Sequence, residues 1–145
     1  IVYENDLAAI SINGAGNVNA GDSQVYDVVV KNVGSGVQDS YTVKLMREGN
    51  TELFSLDITD ALAPDAQTTH HLVWNIPSTE PQGTTYLFGK VVLPGDENSQ
   101  NNETSHLNVQ VFPAGIMQIT VGNGSTLDNH TPVSFPYNNS LTETM

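Results

Sequence analysis

Cysteine is absent from the 145-residue chain. That excludes disulfides, thiolate metal sites and cysteine nucleophiles, while leaving export open. Basic residues are almost as scarce: Lys31, Lys44, Arg47 and Lys90 stand against sixteen acids, for a net charge of −12. A phosphate backbone needs a basic footprint, so nucleic acid is a poor partner. Anionic membrane surfaces are disfavoured for the same reason. No apolar run is long enough to cross a bilayer as a helix. No stretch carries a sustained 3.6-residue period, and the one short helical pattern, in 58–65, is cut by Pro64. The first residue is Ile1, without a methionine or a signal peptide, so the chain reads as a segment of a longer, processed protein.

What is present is a period of two. Seven segments alternate: 6–12, 24–34, 40–49, 51–58, 66–76, 84–93 and 105–112. Turn signals separate them, among them Gly49-Asn50, Ala63-Pro64-Asp65, Pro81-Gln82-Gly83 and Leu93-Pro94-Gly95. A chain of this size buries roughly 68% of its unfolded surface, enough for an unstapled core. The pattern predicts an all-β fold, a seven-stranded immunoglobulin-like antiparallel β-sandwich with a C-terminal extension. Val28, Val30, Val43, Leu45, Leu72, Trp74, Leu107 and Val109 are the expected shared core. In 84–93, Tyr86 and Phe88 lie on one parity and Val91 and Leu93 on the other, and a bulge near Gly89 would reconcile them.

The pattern changes at Pro113-Ala114-Gly115. Residues 1–113 are read as the sandwich, and 114–145 as a linker and the start of a following module. The tail is rich in Asn, Ser and Thr, yet Val133, Phe135 and Tyr137 keep a period of two that wants a partner strand.

Five pieces, in order over about 5–112, resemble the CARDB family, the cell-adhesion-related domains of bacterial and archaeal surface proteins. They are "DLAAISI", "GDSQVYDVVVKNVGSG" with its Asn-x-Gly, "YTVKLMREGN", "LAPDAQTTHHLVWNIP" and "VVLPGDENSQNNE". The chain departs from the family at Leu93, where Asp is frequent, and at Asp65, where Gly is frequent. The resemblance implies an immunoglobulin-like sandwich acting as a non-catalytic spacer or adhesion module of a large exported protein. Its partners would be neighbouring modules of the same chain, other surface proteins or glycans. The tail also looks like segments that begin the next module in secreted multidomain proteins.

Chemical candidates are few. Asp96, Asn98 and Gln100 place oxygen ligands at alternate positions, as calcium requires. The competing reading is an amide-rich turn bonded to its own backbone, without a metal. The stretch lacks the glycine and distal glutamate of an EF-hand loop, and the resemblance makes its amides a structural signature. His70 and His71 are adjacent on a strand and point to opposite faces, so they do not share a zinc ion, nor is His106 expected beside them. His130 lies in the tail. Glu48 and Glu52 flank a turn as ordinary exposed acids. No nucleophile elbow or phosphate cradle is present, and the Asn-x-Ser/Thr triplets at Asn102, Asn123, Asn129 and Asn138 fit an amide-rich surface before they fit glycan acceptors. No catalytic site and no obligatory cofactor is expected. The alternative is a carbohydrate-binding module attached to a secreted enzyme such as a peptidase or glycosidase. It would need exposed aromatics, whereas Tyr26, Tyr41, Trp74, Tyr86 and Phe88 are read as largely on apolar faces.

Overall fold

Eight strands form among residues 2–114, the part of the chain described by the computed structural model. They are β1 (Leu7–Asn13), β2 (Asn17–Asn19), β3 (Ser23–Asn32), β4 (Tyr41–Arg47), β5 (Thr51–Ile58), β6 (Gln67–Asn75), β7 (Gly83–Val92) and β8 (Leu107–Phe112). A single 3-10 turn, Ser99–Asn101, is the helical structure among these residues. Among the described residues no helix is long and apolar enough to cross a membrane. Residues 115–145 lie outside the described part, and with them His130, three of the Asn-x-Ser/Thr triplets and the expected linker.

The strands pack as two sheets, one ordered β1-β3-β6 and the other β2-β8-β7-β4-β5. Neighbours are antiparallel except β2, which runs parallel to the end of β8. The seven expected strands are all present. The eighth, β2, escaped the reading because three residues around one apolar side chain, Val18, carry no period.

Alternation places the core as expected on most strands. Tyr26, Val28 and Val30 from β3, Tyr41, Val43 and Leu45 from β4, and Leu72 and Trp74 from β6 are buried between the sheets. Leu107 is only partly buried and packs at the margin of that core.

The expected bulge in β7 does not form. Its register against β4 is unbroken from Thr42↔Val92 to Arg47↔Leu87. Leu87, Gly89 and Val91 point inward, and Tyr86 and Phe88 point away from the core, so no parity conflict exists. A Cβ at Gly89 would lie 2.6 Å from a Val28 methyl, which explains a glycine in mid-strand. The irregularity sits on the returning chain instead. Three steps along β7, from Leu87 to Lys90, face four steps from Leu107 to Glu103.

Candidate functional site: the polar corner and the outer sheet face

At the pole where β1 starts, residues 3–6 are threaded between two loops. On one side lies the β3–β4 loop, held by Asn32 of the Asn-x-Gly motif. The Asn32 side chain is fully buried and fully bonded: it donates to the carbonyls of Gly36 (2.8 Å) and Leu62 (2.9 Å) and accepts from Gly34 N–H (3.0 Å). Gly34 must be glycine because a Cβ there would lie 2.5 Å from the Glu4 carbonyl oxygen. The Asp6 carbonyl accepts from the amides of Val33 and Gly34.

On the other side lies the β7–β8 loop. Asp96 Oδ1 caps the turn by accepting from Asn98 N–H (2.8 Å), and Oδ2 accepts from Leu7 N–H (3.3 Å). Asn98 Oδ1 accepts from Gln100 N–H (3.2 Å), and a Glu97 oxygen accepts from the amides of Glu4 (2.9 Å) and Asn5 (3.1 Å). Buried Asp6 accepts from the Asn101 side chain (2.9 Å). The Asn102 amide, with its nitrogen turned inward, donates to the Leu7 carbonyl (3.0 Å) and to Asp96 Oδ2 (3.1 Å). Thr104 then takes a place in the ladder beside β7, accepting from Gly89 N–H at 2.9 Å. Burial above all raises the Asp96 pKa; bonds from the Asn98 and Leu7 amides oppose this, and the charges of Asp6 and Glu97 add to it.

Of the three calcium candidates, Asp96 and Asn98 spend oxygens on loop amides, and Gln100 lies exposed on the 3-10 turn. The structure gathers Asp96 with Asp6, Asn101 and Asn102. Sequence reasoning missed Asp6 and Glu97 as members of this corner. The signal was the "D" of the opening "DL", which lies 90 residues from Asp96 and has meaning only once β1 and the loop are neighbours.

The histidines separate as expected. His70, half-buried, meets the Tyr41 hydroxyl at 3.1 Å, while His71 on the outer face bonds Asp27. His106 is on neither of these but on the outer face of the larger sheet. There its ring stacks on Tyr86, with centroids 3.8 Å apart and planes within 9°, and Phe88 lies 5.6 Å away. Phe88 and Met46, which face each other across β7 and β4, are buried although they are not part of the inter-sheet core. The reading that strand aromatics fall on the core face is therefore corrected for Tyr86 and Phe88, for which Leu87 takes the inward parity.

At the opposite pole, Arg47 makes two bonds to Glu80 (3.1 and 2.9 Å) and covers the Trp74 ring. A shallow groove lined by Arg47, Glu80, Gln82, Thr84 and Val111 opens beside it.

No protein-family model matches the sequence, and no curated protein matches it. Solved structures do. The CARDB domain of the PF1109 protein from Pyrococcus furiosus, in complex with di-metal ions, is 22% identical with a TM-score of 0.60, covering 77% of this chain and 93% of that one. A solution structure of the same domain is 24% identical with a TM-score of 0.58, covering 76% and 97%. A domain of a protein assigned to the cell surface of Methanosarcina acetivorans is 19% identical with a TM-score of 0.58, covering 75% and 93%. Strand pattern, Asn-x-Gly corner and these similarities agree: the chain has a CARDB-like β-sandwich fold.

Proposed function

We propose that this chain is a non-catalytic spacing and interaction module of a larger exported, surface-located protein, and that residues 114–145 are a linker and the start of its next module. The observation that carries this reading is the course of the chain. It joins the sandwich at the pole where Glu97 bonds the amides of Glu4 and Asn5. It leaves at the other, where the Phe112 carbonyl accepts from Ala20 N–H and Gly21 N–H bonds the Ile76 carbonyl. A domain with its two connections at opposite ends transmits length, so copies or neighbours in series extend rather than stack. The cell-surface assignment of the Methanosarcina protein supports the same location. The polar corner fits this role, because it ties the incoming segment to two loops with bonds distant in sequence.

Small-angle scattering on two full-length copies fused in series tests the reading. The longest dimension should grow by at least one sandwich length, roughly 30–40 Å for strands of this span at ~3.3 Å per residue. A dimension that hardly changes would mean side-by-side packing and would contradict a spacer. The carbohydrate-binding alternative is favoured by one observation, the aromatic cluster on the outer sheet face.

A further inference from the structure

We infer that the outer face of the larger sheet, centred on Tyr86 and His106 with Phe88 buried beside them, is a binding surface for neutral polysaccharide. This goes beyond the spacer role, and either can fail without the other. Side chains on a solvent-facing sheet surface are ordinarily polar. Here one face carries a buried phenylalanine and methionine, a tyrosine and an exposed histidine, none of them serving the core between the sheets. The stack of Tyr86 on His106 fixes the exposed imidazole in one orientation before any ligand arrives. Such pre-organisation reduces the ordering cost of binding.

The charges on the same face decide the partner. Lys44 and Lys90 stand directly opposite each other on β4 and β7, an arrangement that is unfavourable for like charges. Each is offset by an acid: Lys44 by Glu52 at 2.9 Å, and Lys90 by Glu103 at 3.9 Å. Asp57, opposite Thr42 and accepting from its hydroxyl at 2.9 Å, adds one acid beyond these pairs, so the face presents paired donors and acceptors with a slight acidic excess, on a protein whose net charge is −12. Beyond Tyr86 the strip continues in Asn108 and in the Thr84–Gln110 hydrogen bond at 2.8 Å. From Thr84 to Lys90 it is roughly 20 Å long at ~3.3 Å per residue. A pyranose face is lined with weakly positive C–H groups that suit the negative face of an aromatic ring. Its hydroxyls both donate and accept, matching amides and ion-paired side chains. Acidic polymers would be repelled by the molecule as a whole.

Affinity electrophoresis of the full chain is the test, in gels holding a soluble neutral polysaccharide (mixed-linkage β-glucan or galactomannan) or an acidic one (polygalacturonate). Expected is retardation by a neutral polymer. His106→Ala and Tyr86→Ala should each weaken it about tenfold, the loss of one stacking contact, with far-ultraviolet dichroism unchanged. His106 is exposed, so its variant reports on binding even if Tyr86→Ala fails to fold. Retardation only by the acidic polymer, by none of the three, or undiminished in His106→Ala would overturn the inference.

Discussion

The guanidinium carbon of Arg47 lies 5.3 Å from the ring centre of Trp74, and the same group is held by both oxygens of Glu80. One side chain thus closes the core over its largest ring and neutralises a nearly buried acid. Arg47→Ala should therefore cost about 2–3 kcal/mol, below the cost of breaking a fully buried pair because some solvent reaches this one. Trp74→Ala should cost about 3–5 kcal/mol through lost burial and the cavity left behind. Urea midpoints of the two variants check both figures, and an unmoved midpoint for Trp74→Ala would place that ring outside the core.

Gly89→Ala should destabilise by about 1–3 kcal/mol, because the added methyl meets both Val28 methyls inside the closed core. Thermal melting measures this. Unchanged stability would mean that β7 can shift its register, as a bulge would have allowed.

The two readings of β7 show what was legible in the sequence. Period two is strong where hydrophobic and polar residues alternate, as in β3 and β4, and those strands and their core residues could be read directly. In β7 nearly every residue from Tyr86 to Val92 is apolar, so parity cannot be assigned without knowing which neighbour needs room. Only the contact of Gly89 with Val28 settles it. The polar corner was half legible: the amide-rich stretch announces a bonded turn, but its partners Asp6 and Leu7 lie far away in sequence. Asp65 is a smaller case. Its φ of 68° explains why glycine suits that position, and why Asp, which tolerates the left-handed region, can replace it.

The corner should be held by its own hydrogen bonds. Asp96→Ala removes the acceptor for the Asn98 and Leu7 amides and should cost about 1–3 kcal/mol. Adding calcium or a chelator should leave the melting temperature of the unmodified chain unchanged. A rise of several degrees in millimolar calcium would show the loop's acids converging on an ion.

Tyr26, with Tyr41, whose pKa burial also raises, contributes to the alkaline limit. The Tyr26 ring is fully buried, its hydroxyl donates to the Ala15 carbonyl at 2.8 Å, and burial pushes its pKa from 10.0 up to about 12. The unfolded chain releases this proton first, so the contribution is fully present below pH 10 and is lost as the pH rises through 12. The loss should reach roughly 3 kcal/mol. Tyr26→Phe should cost about 1 kcal/mol at neutral pH for the missing bond and should flatten the stability profile across that window. A profile as steep as that of the unmodified chain would assign the alkaline loss to another group.

The end-to-end course of the chain is the claim on which the spacer role rests, and the absence of cysteine makes it directly measurable. Spin labels on cysteines replacing exposed Tyr3 at one pole and Gln82 at the other report their separation by pulsed dipolar spectroscopy. A narrow distribution at roughly 30–40 Å is expected from strands of this length. A distance below about 20 Å would place both poles on the same end of the sandwich and contradict the account.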